Sequence, residues 1–419
     1  MNVLVIGQGG REHALVRALR QSVSSVASVH VLPGSDGIAL DATCHAVEWS
    51  DFEKVLAVVH DENIGLVVIG PEIPLDGGLS DFLRSKDIRV VGPSREAARL
   101  ESSKIFSKEF MVSAGVPTAR HFVVSAVDET LQAAAAFKPP YVLKADGLAA
   151  GKGVFICADL EELTSAARSI FEDRSLGDAG SRALLEEFSP GFEISYLILT
   201  NGREYASLPL AQDHKRLRDE DRGPNTGGMG VVAPIPMSSS LHEEIIAKVV
   251  VPSVAELGRR GFTFNGVLFI GLMMTDKGPS VLEYNTRFGD PETQALLPLL
   301  DGEWGSVLKS LAEGRVEELA WKPLSCACVV LSAKGYPETP LKGGTLRLPT
   351  ETKEQRRYLL HAGSKRVGDE WLTSGGRVLN AVGIGPTMRD AIDSAYEIAR
   401  EVESDSLFFR KDIGRRQLR

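Results

Sequence analysis

Glu283-Tyr284-Asn285-Thr286-Arg287-Phe288-Gly289-Asp290-Pro291-Glu292-Thr293 follows an apolar, strand-like segment and crowds acid, amide and guanidinium groups together. On a strand, side chains two apart share a face, so Glu283 and Asn285 present two hard oxygen donors on one side, about 7 Å apart along the chain. That pair suits magnesium, with manganese as a substitute. A second stretch, Lys144-Ala145-Asp146-Gly147-Leu148-Ala149-Ala150-Gly151-Lys152-Gly153, joins glycines to lysines at both ends. Its glycines let backbone N–H groups approach phosphate oxygens closely. It is not a Walker loop, which needs four residues between its glycines and a Ser or Thr after the lysine. Here three residues separate Gly147 from Gly151, and Gly153 follows Lys152. No loop hydroxyl is available to the metal, so the two stretches read as complementary halves of one magnesium–nucleotide site. The plain alternative for the glycine stretch is a flexible hairpin turn.

The bulk properties narrow the field. A chain of 419 residues has room for about three domains. Its formal charge of −9 disfavours nucleic acid as a partner and leaves small anions as the better expectation. No apolar run reaches the roughly 18 residues of a membrane span. Met1 to Ile6 passes straight into a glycine turn, so it reads as a first strand rather than a leader, and the protein is expected in the cytoplasm. Four cysteines are too few for a disulfide framework, and Cys326 and Cys328 alternate as core-facing strand residues would.

Residues 1–102 alternate short apolar runs with helical patterns, predicting a doubly wound parallel sheet whose turns gather at its carboxyl edge. Gly7-Gln8-Gly9-Gly10-Arg11 could pass for a dinucleotide fingerprint, but Glu12 stands at the third glycine position and would repel a pyrophosphate. Two glycines and Arg11 fit a single phosphate. Residues 103–320 open with a helix bearing Lys104, then a strand ending in Lys144, a strand ending in Glu186 and Glu187, and a long charged, glycine-rich loop over residues 211–230. Residues 321–419 read as a smaller α+β domain. The whole is thus an α/β and α+β multidomain chain.

In order, these segments resemble the glycinamide ribonucleotide synthetases, a branch of the ATP-grasp enzymes. The resemblance rests on Gly7 to Ala14, Gly70-Pro71-Glu72, Lys144 to Gly153, Gln212-Asp213-His214-Lys215-Arg216, Gly223 to Gly230 and Arg377-Val378-Leu379, and above all on Arg287-Phe288-Gly289-Asp290-Pro291-Glu292. It implies a central ATP-grasp fold with a mobile lid over about residues 118–190, and an ATP-dependent ligase that joins glycine to 5-phosphoribosylamine through a glycyl phosphate in purine synthesis. Glu283 and Asn285 are then assigned to magnesium. Lys104, Lys144, Gly147, Gly151, Lys152, Gly153, Glu186, Glu187, Glu193, Arg216 and Asn225 are assigned to ATP. Asp213, Arg287 and Lys144 are the expected catalytic residues, with Asp213 and Arg287 beside glycine. Gly9, Gly10, Arg11, Gly34 and Glu72 are expected around the phosphoribosylamine. The expected protein is a monomer acting on small molecules. Gln8, Ser35 and Ile38 depart from the family pattern.

Overall fold

The apolar runs near the start of the chain form strands Asn2–Gly7, Ser28–Pro33, Ile64–Ile69 and Val90–Pro93. The computed structural model describes residues 1–148, 153–349 and 356–418. The four strands pair in parallel, with Asn2–Gly7 between Ser28–Pro33 and Ile64–Ile69. Their unbroken apolar sequence follows from burial of both faces. Val3 and Val5 pack with Phe288, Leu296 and Trp304, while Leu4 and Ile6 pack with Leu75, Leu79 and Leu83.

This sheet does not stop at residue 102. Val90–Pro93 pairs antiparallel with Phe264–Thr275, placing Phe264 opposite Pro93 and Asn265 opposite Gly92. Phe264–Thr275 in turn pairs with Phe192–Thr200 and with Gly278–Asn285. The result is a nine-stranded sheet among the described residues. Glycine permits the seam, since a Cβ on Gly266 would stand 3.3 Å from the Gly92 Cα.

The glycine stretch is the connection of a hairpin between Tyr141–Ala145 and Val154–Cys157, with Lys144 opposite Val154. That hairpin belongs to a four-stranded sheet with His121–Val124 and Ala183–Glu187. Helices Val127–Ala134 and Leu160–Phe171 share its core. Ala149, Ala150, Gly151 and Lys152 lie outside the described residues.

Residues 211–230 differ from the expected loop. They contain strands Gln212–Asp213, Arg216–Arg218 and Arg222–Asn225 and end at the start of Gly230–Ala233. Gly230–Ala233 pairs with Ser325–Ala333, so the C-terminal sheet takes strands from the middle of the chain. Such short strands are specified by distant partners, which local composition does not reveal. Ser325–Ala333 is buried on both faces: Cys326, Cys328 and Val330 enter one core, Ala327, Val329 and Leu331 another. Both cysteines are buried and free, as their spacing predicts. Helix Met388–Glu401 covers this sheet and begins with a capping box between Thr387 and Asp390.

Candidate functional site

The Gly278–Asn285 strand ends at the point where positive side chains from several segments meet. Lys215 pairs with Glu193 and stands 3.8 Å from Glu283 Oε1. Glu283 is half-buried, and burial works against its charge. Lys215, Lys144, Lys104 and Arg287 outweigh that cost and hold its carboxyl below the usual range. Asn285 Oδ1 accepts from Arg287 Nη2 at 3.2 Å. The charged carboxylate and the amide oxygen supply the hard donors that magnesium requires.

Lys104 opens helix Lys104–Ala114, whose cap Ser103 accepts from the Phe106 N–H. The amino end of a helix is a poor place for a cation. Asp146, at the root of the glycine hairpin, answers it: its Oδ1 accepts from Ile105 N at 2.8 Å and from Ser103 Oγ at 2.9 Å. Lys104 Nζ also donates to Gly147 O at 3.3 Å. Burial lowers the Lys104 pKa, and Glu283 opposes that shift. One turn on, Lys108 is buried 3.0 Å from Glu186 Oε1, while Lys144 lies 2.8 Å from Glu186 Oε2. Lys144 also donates to Leu282 O at 3.3 Å, tying the hairpin to the strand that carries Glu283. Glu186 therefore serves as a buried counter-ion between two lysines. Glu187 is at the rim, paired with Arg120 at 2.8 Å. Gly147 lines a cleft of about 800 Å³ together with Leu148, Arg95, Arg99 and Ser103. Gly153 accepts from Ala145 N at 2.8 Å.

Arg287 links this cluster to the N-terminal sheet. Its Nη2 lies 2.9 Å from Glu101 Oε1 and its Nε 3.6 Å from Glu72 Oε2. Burial raises the Glu101 pKa against the pull of Arg287. Glu72 is also opposed by burial, but Arg287 and Arg11 bring its pKa below the ordinary value. Burial drives the Asp213 and Glu292 carboxyls upward, and Glu292 adds to the rise at Asp213. Ser195 Oγ donates to Glu292 Oε1 at 2.8 Å. Gly228, at φ +110°, makes room here: a Cβ would stand 2.7 Å from Asp213 Oδ1. Arg377 fixes this corner through Asp290 Oδ2 at 2.7 Å and Gly227 O at 2.6 Å.

The residues of the expected phosphate turn contact other protein groups. Arg11 is buried, with Nε 2.6 Å from Glu12 Oε1 and Nη1 donating to Phe288 O at 3.0 Å. Gly9 N already donates to Glu12 Oε2 at 2.7 Å. Cβ atoms on Gly7 and Gly70 would collide with the Glu12 side chain, and one on Gly10 would stand 2.3 Å from Asn380 Nδ2. Gly34, at φ +74°, packs against Cys44 in the same manner. The glycines make room for protein groups around the start of this helix. Arg216 and Asn225 face each other across a separate two-stranded hairpin, where Arg216 Nη1 donates to Gly223 O at 2.8 Å.

Sequence reasoning missed Lys108, Glu101, Asp146 and Glu292 as parts of the constellation. Lys108 alone carried a local signal, lying four residues after Lys104 on the same helix.

Three stretches match the phosphoribosylglycinamide synthetase family: its N domain over residues 1–101, its ATP-grasp (A) domain over 102–293 and its C domain over 326–416. A phosphoribosylamine–glycine ligase from Halalkalibacterium halodurans is 41% identical over 415 residues, covering 99% of this chain and 96% of the relative. One from Ralstonia nicotianae is 40% identical over 424 residues, covering 100% of both. Among solved structures, the phosphoribosylamine–glycine ligase of Thermotoga maritima superposes with a TM-score of 0.86 at 35% identity, covering 99% of this chain and 100% of its own. The biotin carboxylase domain of Hydrogenobacter thermophilus 2-oxoglutarate carboxylase, solved with MgADP, has a TM-score of 0.74 at 18% identity. It covers 97% of this chain and 91% of its own, and the likeness is one of fold alone.

Proposed function

The chain belongs to the phosphoribosylglycinamide synthetase family, and from that premise we propose how its residues carry out the reaction. The enzyme is an ATP-dependent ligase that joins glycine to 5-phosphoribosylamine in purine biosynthesis. A glycine carboxylate oxygen attacks the γ-phosphorus of ATP, the bond to the bridging oxygen breaks, and ADP leaves. The amine then attacks the acyl carbon, phosphate departs with the C–O bond, and the nitrogen loses a proton as the amide forms. A carboxylate is a poor acyl donor until its oxygen becomes a leaving group, so the protein's task is positioning and charge neutralisation.

The carrying observation is the convergence of Lys104, Lys144, Lys215 and Arg287 on Glu283 at a strand end. Lys104 and Lys144 would meet the phosphates, with Glu186 2.8 Å from Lys144. Glu193 and Glu187 stand on the nucleotide side with Arg216 and Asn225. Arg287 suits the glycine carboxylate, and the Asp213–Glu292 pair suits its ammonium group. Glu72 is available for ribose hydroxyls beside the Gly9–Gly10 turn and Gly34. Glu283 and Asn285 would hold magnesium, which when bound neutralises phosphate charge.

The division at residues 1–102, 103–320 and 321–419 is retained, with residues 118–190 as a lid; the four-stranded sheet with its own core supports that lid. Gly147 and Gly153 at the hairpin would approach the phosphates. A cytoplasmic monomer completes the reading; in the described residues no helix is long and apolar enough to cross a membrane.

The test is ADP release with glycine and freshly prepared phosphoribosylamine, with the amide product weighed by mass spectrometry. Release with formate or bicarbonate instead of glycine would overturn the assignment.

A further inference from the structure

We infer that His30, His45 and Glu62 form a binding site for a divalent transition ion of the zinc type, separate from the nucleotide site. The three come from different elements near the amino edge of the parallel sheet. His30 lies on strand Ser28–Pro33, His45 directly follows Thr43–Cys44, and Glu62 caps helix Phe52–Asp61. Their ligand-type atoms all lie within 4.8 Å of one another. His30 Nδ1 is 3.1 Å from His45 Nε2 and 3.8 Å from Glu62 Oε2.

A tetrahedral zinc ion with bonds of about 2.0–2.1 Å keeps its ligands roughly 3.3–3.4 Å apart. The two measured edges bracket that spacing. The imidazole centroids are 5.3 Å apart and the ring planes differ by 20°, so the nitrogens face each other edge to edge. Without an ion the two nitrogens share one hydrogen bond, with the proton on one of them. With the His45 proton on Nδ1 and both rings rotated, the two lone pairs turn to a common point.

The surroundings prepare that state. His30 Nε2 lies 2.9 Å from Ser28 Oγ. An N–H directed at that hydroxyl leaves Nδ1 with its lone pair, the arrangement that orients metal-binding imidazoles generally. Backbone pairing fixes the other ligands: His45 N donates to Val31 O at 2.9 Å, and Asn2 Nδ2 donates to Glu62 O at 2.7 Å. His45 and Glu62 are only half-buried, giving an ion a way in and a water the fourth position. Two imidazoles and one carboxylate are a borderline-soft set that favours zinc over magnesium.

The test is calorimetric titration of Zn²⁺ alone into the full chain with Mg²⁺ in excess, alongside thermal unfolding. One equivalent should bind and raise the midpoint. Glu62→Gln and His45→Ala should each weaken binding by at least about tenfold, and Ser28→Ala by a smaller factor. Co²⁺ should give the visible absorption of a tetrahedral complex in the parent chain and lose it in His45→Ala. Glu62 is partly solvent-exposed, so Glu62→Gln reports on binding even where a histidine variant fails to fold. Absence of zinc binding, or equal binding by the parent, His45→Ala and Glu62→Gln chains, would overturn the inference. Neither result touches the ligase reading.

Discussion

At the Gly7–His13 turn, charge is answered where it stands: Arg11 and Glu12 are sequence neighbours, both buried, 2.6 Å apart. At the strand end carrying Glu283, charge is imported. Lys104, Lys144, Lys215 and Arg287 arrive from four segments onto a carboxylate that stays half-exposed. Both regions have glycines beside basic residues. In the first, the glycines clear space for a protein carboxylate; in the second, Gly147 lies along an open cleft. Cations from distant segments surround an accessible carboxylate in the one region, whereas the other neutralises its charge between sequence neighbours.

The contrast can be broken by substitution. Glu283→Gln should lower turnover by roughly 10³-fold, about 4 kcal/mol, with the fold intact by circular dichroism; activity near that of the parent at ordinary magnesium would erase the distinction. Glu12→Ala should act on stability instead, leaving Arg11 buried without its partner at a cost of about 3–5 kcal/mol in urea unfolding. Lys144→Ala should weaken ATP binding by about 1.5–3 kcal/mol in calorimetry, because one charge-assisted phosphate contact is lost. Unchanged affinity would make Lys144 merely the partner of Glu186.

A pH titration probes one histidine in each region. Burial first, then His13, holds His361 at about 3; burial first, then Arg410, holds His214 at about 4. The bonding of His214 agrees, since Nε2 accepts from Gly414 N at 3.2 Å and Nδ1 faces Gly230 O at 3.1 Å. An unfolded histidine takes up its proton near 6.5. Between that value and the folded ones the unfolded chain binds more protons, so stability falls as pH is lowered. Each ring contributes up to about 1.4 kcal/mol per pH unit in that window. His361→Gln should flatten the acid side of a stability–pH curve, and an unchanged slope would assign the acid sensitivity elsewhere.

The parallel strands were legible because near-continuous apolar runs between glycine turns leave few other structures. The period of two along a strand picks out Glu283 and Asn285, and both lie on strand Gly278–Asn285. Family membership was legible in the segment from Arg287 to Glu292. Glu101, Asp146 and Glu292 were not, because each acts through a partner distant in the chain: Arg287, the helix start at Ser103, and Asp213. The strands within residues 211–230 were hidden for the same reason.

The junction between Val90–Pro93 and Phe264–Thr275 bears on how the protein can be cut. Gly92 and Gly266 bring backbone against backbone there, and Ser94 N donates to Thr263 O at 2.8 Å. A fragment ending at residue 101 would keep every parallel strand yet expose a naked row of amides and carbonyls along its last one. Bare edges of that kind recruit other chains. Such a fragment should precipitate or assemble with itself, even though its sequence matches a recognised domain from end to end.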